Sequence, residues 1–86
     1  MPKLSSFYGI QISMWPDDHG VPHFHVRHEG RSASVSIATL AVLGGGIKPR
    51  ALVMVRDWAF AHREELLAAW NTLRAGGVPE KIEPLD

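Results

Sequence analysis

From Arg50 to Arg74 no glycine or proline interrupts the chain, and Ala, Leu, Glu and Arg are frequent. In a protein of 86 residues, that run constrains the fold more than any other feature, because it predicts one long helix. Leu52, Val55, Ala59, His62, Leu66, Ala69 and Leu73 recur at spacings of three and four. They form a single apolar stripe that must be buried against another element. Pro49 fits the first helical turn, where a missing N–H costs nothing. Gly76-Gly77 fits its C-cap.

The first half of the chain offers the surface such a stripe needs. In YGIQISMW (8–15), Ile10, Ile12 and Met14 fall on one face and Gly9, Gln11 and Ser13 on the other. This is the pattern of a half-buried strand. PDDHGVP (16–22) reads as a loop, since Pro16 cannot donate to a ladder. Alternation then resumes: Phe24 and Val26 point one way, His23, His25 and Arg27 the other. Glu29-Gly30 is a tight connection to RSASVSIA, with Ala33, Val35 and Ile37 inward and Ser32, Ser34 and Ser36 outward. The two runs predict an antiparallel hairpin. TLAVL (39–43) fits either a short fourth strand or a turn leading away, and Gly44-Gly45-Gly46 breaks whatever precedes it. The tail VPEKIEPLD is expected to run extended along the surface. The expected architecture is α+β, a small antiparallel sheet of three to four strands followed by one long amphipathic helix packed on one face, in a single domain over residues 1–86.

Size and charge bound the function. A chain this short buries roughly 60–65% of the surface it exposes when unfolded, so a homodimer or an obligate partner would add useful burial. Nine Lys+Arg balance nine Asp+Glu. Zero net charge argues against broad electrostatic binding to nucleic acid or anionic membrane but permits a local basic patch. Without cysteine there is no disulfide and no thiolate zinc site. MPKLSSFYGI has no long apolar segment of the signal-peptide kind, and no apolar run approaches the ~20 residues of a membrane span. The expectation is a soluble cytoplasmic protein.

HGVPHFHVRH (19–28) concentrates four of the five histidines. Three readings compete. Imidazoles at i and i+2 of a strand lie roughly 6–7 Å apart on one face and can converge on one ion. Asp17, Asp18 and His19 lie just upstream. The sharpest metal set is His23 and His25 with His19 or Asp18, a donor set suited to Zn²⁺ or Fe²⁺. Alternatively, His23 and His25 beside Arg27 could cleave RNA by general acid–base chemistry, with the arginine (or Arg31) stabilising the phosphorane. Thirdly, the histidine face is the solvated side of the sheet, or a surface for a partner protein. His62 interrupts the apolar stripe, where a core histidine with one hydrogen bond is the ordinary explanation. By alternation His28 faces the same way as Phe24, which leaves a His28–His62 contact open; a helix covering that face would put His62 across the sheet from His23 and His25. GGGIKPRA (44–51) sets Lys48 and Arg50 at a helix start without an N-cap side chain, a candidate anion site. A glycine turn with solvated charges explains the same residues.

Phe7-Tyr8-Gly9-Ile10, Asp18-His19 with Pro22-His23-Phe24-His25, Pro49-Arg50-Ala51-Leu52, Trp58 with His62, and the closing Lys81-Ile82-Glu83-Pro84-Leu85 together resemble a small bacterial family known as domain of unknown function 4160. Val21 stands where that motif has a second proline. The resemblance names no reaction. It implies one half of a two-protein operon whose partner belongs to another family, domain of unknown function 2442, an arrangement similar to toxin–antitoxin pairs. The reading that results is a component of such a module, binding a partner protein and RNA through its histidine strand. A metal-binding protein or metal-dependent hydrolase using His23 and His25 is the alternative, and a non-enzymatic interaction module is another.

Overall fold

A computed structural model describes residues 3–17 and 20–86. Five strands form one antiparallel meander in the order β1 (Lys3–Phe7), β2 (Ile10–Ser13), β3 (His23–His28), β4 (Arg31–Ser36) and β5 (Val42–Gly45). Two helices follow, α1 (Pro49–Ala61) and α2 (Arg63–Arg74). The α+β class and the packing of helix on one sheet face stand as expected; the element count does not.

The hairpin of β3 and β4 pairs His23 with Ser36 through to His28 with Arg31. It turns on Glu29 and Gly30, both at positive φ, the two-residue geometry whose twist matches the flanking strands. Ile10, Ile12, Met14, Phe24, Val26, Ala33, Val35 and Ile37 are all buried, as their alternation requires.

The strand expected over residues 8–15 covers only Ile10–Ser13. Tyr8 and Gly9, both at positive φ, form a second two-residue turn that joins β1 to β2. The additional strand β1 escaped the period-two reading because its register shifts between Lys3 and Ser5, which brings Leu4, Ser5 and Phe7 all into buried positions.

The triple glycine does not break the sheet either. Gly44 and Gly45 belong to β5, which reaches its place through a tight loop in which Leu40 N–H donates to Ser36 O and Ser36 N–H to Ala41 O, both at 2.9 Å. That loop also buries Ser36, expected outward, whose hydroxyl accepts from Thr39 N–H at 3.3 Å.

The single long helix is two. His62 leaves helical geometry at φ −117°, ψ 24° and serves as the C-cap of α1 and the N-cap of α2. Its N–H still reaches Trp58 O at 3.1 Å and its carbonyl still accepts from Leu66 N–H at 2.9 Å. The break is therefore a kink within one run. Its ring bonds Glu65 at 2.6 Å in the first turn of α2, and Arg63 Nε donates to Ile37 O at 3.1 Å, so the new helix direction is anchored to the sheet. The buried stripe runs through Ala51, Val55, Trp58 and Ala59, then Leu66, Ala69, Trp70 and Leu73. Leu52 and His62 are only half-buried.

Trp58 is the centre of the core. It is 1% exposed and packs against Phe7 and Phe24 with ring centroids 5.4 and 6.2 Å away. Its indole N–H donates to Glu83 O at 2.7 Å. The tail therefore does more than cross the surface: Ile82 is buried and its N–H donates to Leu4 O at 2.8 Å. No described helix is long and apolar enough to cross a membrane.

Candidate functional site

With both helices on the Phe24 side, the other face of the sheet is left open. Strand register arranges that face in rows. Ser13, His25, Ser34 and Gly44 stand abreast on β2 to β5, and Gln11, Arg27 and Ser32 form the next row. Short side chains beside His25, and none at Gly44, leave a groove of about 490 Å³ lined by Gln11, Trp15, Asp17, His25, Arg27 and Ser32, among others. A smaller hollow of about 250 Å³ continues over Ser34 and Gly44. Trp15 follows β2 in the same phase as Gln11 and Ser13, so its ring joins this face with 38% exposure.

His23 and His25 do project together. Their ring centroids are 5.2 Å apart with planes at 78°, and both are half-buried. They sit in a line of rings. Trp15 meets His25 edge-on at 5.4 Å, and Trp70 of α2 meets His23 at 5.1 Å. Arg74 lies over the Trp70 ring at 5.7 Å. His23 thus occupies the corner where the open face meets the end of α2. Its Nδ1 lies 2.8 Å from Val21 O. A carbonyl only accepts, so Nδ1 carries the proton and Nε2 is the acceptor nitrogen of the neutral ring. His25 Nδ1 lies 3.4 Å from Ser34 Oγ.

Arg27 is exposed on the same face, one row beyond His25. Asp17 lines the groove from the loop after β2. Of the expected third ligands, Asp18 and His19 lie outside the described residues. Among the described residues no group of three His, Asp or Glu is placed to hold a metal ion.

The remaining candidates lie elsewhere. Lys48 and Arg50 open α1 on the helix side of the sheet, around a hollow of about 360 Å³ shared with His28. Lys48 has no capping side chain, as its sequence context predicts, but its ammonium is paired with Glu29 at the β3–β4 turn. The Lys48 hydrogen bond and charge hold the Glu29 carboxyl below its usual range. Arg56 is bonded to Leu40 O at 3.0 Å. The His28–His62 contact that strand parity left open does not form. His28 sits beside the first turn of α1 and His62 follows its last, which separates them by about 20 Å of helix. His62 packs on Trp58 at 5.5 Å. The Nδ1 of His28 is buried without a partner.

Sequence reasoning found the imidazole pair and missed the two tryptophans that flank it. Trp15 was legible, since its phase matches Ser13. Trp70 was not, because only the approach of α2 to the sheet corner brings it to His23.

The model of a domain of unknown function, DUF4160, matches residues 9–71. That stretch holds the imidazole pair, both flanking tryptophans and Arg27. No curated protein and no solved structure matches the chain.

Proposed function

The chain belongs to the DUF4160 family, and from that premise we propose that it binds single-stranded RNA on the open face of its sheet, as the cytoplasmic RNA-facing half of a two-protein, toxin–antitoxin-like module. One observation carries the reading. Trp15, His25 and Arg27 line a single groove of about 490 Å³, so two planar rings on which a base can stack lie beside a guanidinium that pairs with phosphate. Stacking on aromatic side chains with a neighbouring cation is how sheet faces hold single strands. Gln11, Ser13 and Ser32 supply hydrogen bonds to base edges. A neutral chain holding one short segment needs only this local patch. The two-protein arrangement, with a partner of the DUF2442 kind, comes from the family resemblance.

Fluorescence anisotropy with a fluorescein-labelled twelve-nucleotide RNA tests the proposal. Trp15→Ala is expected to weaken binding about tenfold, in line with roughly 1–3 kcal/mol per stacked base. Arg27→Ala is expected to flatten the dependence of log K on log salt by about 0.7, one single-strand phosphate contact. Identical titrations for the wild type and both variants would remove the open face from RNA binding. Co-expression with the DUF2442-type neighbour is expected to yield a complex that survives both substitutions. Its loss in those variants would make the same face the partner surface and the chain a non-enzymatic interaction module.

A zinc ion on His23 and His25 is the second reading. It is favoured by the Val21 carbonyl, which holds Nδ1–H and turns Nε2 into the donor nitrogen, the usual outer contact of a metal-bound histidine. Addition of one equivalent of zinc would then raise the melting temperature of the wild type and leave His23→Ala and His25→Ala unmoved. An unmoved wild type rejects it.

A further inference from the structure

We propose that His23 and His25 cleave the RNA strand held on the open face, by general acid–base transesterification without a metal. The proposal rests on the RNA-binding reading of that face and adds a reaction to it. Three features of the site point to the chemistry.

The first is the spacing. Ring centroids 5.2 Å apart, with planes nearly perpendicular, let the two imidazoles reach opposite sides of one phosphorus centre. The second is the difference between the rings. Nδ1–H of His23 is committed to Val21 O at 2.8 Å. This fixes Nε2 as the basic nitrogen and gives the imidazolium, once it forms, an acceptor for its other N–H. His25 has the Ser34 hydroxyl beside its Nδ1 and projects into the groove, where it can present a proton. The third is rigidity. Trp70, itself 5% exposed, packs on His23, and Trp15 meets His25 edge-on. Rings held this way lose little freedom on reaching the reactive geometry.

The step balances within the RNA and the pair. His23 Nε2 takes the proton of a ribose 2′-hydroxyl as the 2′-oxygen bonds to the adjacent phosphorus. The P–O5′ bond breaks, and the departing 5′-oxygen takes a proton from His25. The products are a 2′,3′-cyclic phosphate and a 5′-hydroxyl end. One proton has moved from His25 to solution-facing RNA and one from RNA to His23, and exchange with water resets both rings. Arg27, one row along the same face, offsets the charge that builds on the non-bridging oxygens.

The experiment incubates wild-type protein and the single variants His23→Ala and His25→Ala, purified side by side, with 5′-fluorescein RNA in excess EDTA. Binding is followed by anisotropy and products by gel. The expected result is cleavage to fragments ending in a 2′,3′-cyclic phosphate, at least a hundredfold slower in either variant when rates are compared at saturating protein, with the thermal transition retained. His25→Ala, which also removes a stacking ring, is expected to bind the strand about tenfold more weakly. An otherwise identical strand with 2′-deoxyribose throughout is expected to be bound and never cut, since it lacks the attacking hydroxyl. The conservative variants His23→Gln and His25→Gln serve where an alanine variant does not fold. Wild-type protein that binds the RNA and leaves it intact overturns the cleavage and spares the binding reading. Cleavage that persists in both variants, or that disappears in EDTA, also overturns it. Wild-type protein that binds no RNA overturns both.

Discussion

A single residue, Gly45, holds β5 in the sheet. Its φ is +69°, and a Cβ placed there would meet the Ser32 carbonyl oxygen well inside van der Waals contact. Glycine alone combines that backbone conformation with so close an approach. Gly44 differs: nothing lies near its missing side chain. Gly45→Ala is therefore expected to cost about 3 kcal/mol, combining backbone strain and displacement of Ser32, whereas Gly44→Ala stays within about 1 kcal/mol. Urea unfolding of the two variants distinguishes them, and equal midpoints would show that β5 tolerates a side chain at either place. Because Gly44 stands in the row of His25, its alanine variant also narrows the smaller hollow over Ser34 without unfolding the sheet.

Among the elements, those with uninterrupted period were legible and those with a hidden irregularity were not. β2 and β3 alternate without fault, as does β4 up to Ser36, which the following loop buries, and the inward and outward positions of Phe24, Val26, His25 and Arg27 follow directly. β1 carries a bulge that sets Leu4 and Phe7 three apart. The alternation of Ile10, Ile12 and Met14 extends backwards in phase onto Tyr8, which concealed the turn. The helix break at His62 has neither glycine nor proline to announce it, and the apolar stripe passes through it unbroken. What fixes it is tertiary, the bond from Arg63 to Ile37 O across to the sheet. The imidazole pair was legible because strand parity alone sets it, while its Trp70 flank depends on where α2 ends up.

The link between the β3–β4 turn and the start of α1 is also a matter of elements, and it is electrostatic. Glu29 pairs with Lys48, and its carboxyl is held below the usual range. A carboxylate with a lowered pKa in the folded state adds stability above its unfolded pKa, near 4.3. That contribution fades as pH falls through the folded value. The melting temperature of Glu29→Gln should therefore lie below that of the wild type at pH 7 and converge with it as the pH falls through the lowered folded value. Both groups are exposed, so salt should also close the gap. A difference that stays the same from pH 7 down to pH 2 and in high salt would mean that the substitution acts through the turn and not through the ion pair.

At the scale of the molecule, the two ends of the chain and the middle of the helix depend on one another. The tail lies along β1 through the bond from Ile82 N–H to Leu4 O, so it covers the edge of the sheet that β2 leaves unpaired. The same segment supplies the Glu83 carbonyl that satisfies the indole of Trp58, the largest fully buried side chain. Without residues 81–86 the indole N–H would lose its acceptor, Leu4 would lose its cover, and a buried isoleucine would be absent. Each loss is of the order of 1–3 kcal/mol, large beside the few kcal/mol by which so small a core is stable. Ile82→Ala, which keeps the backbone bonds, should cost about 2–3 kcal/mol and lower the melting temperature by about 10–20 °C. Removal of residues 81–86 should do more, with increased binding of an apolar dye and rapid exchange of the Leu4 and Trp58 neighbourhood. If the truncated chain melts where the full chain does, the tail is an appendage and the core closes without it. If it unfolds, then the open face that carries His23 and His25 depends on the last six residues, which close the β1 edge and satisfy Trp58, and no fragment ending at the helices could present it.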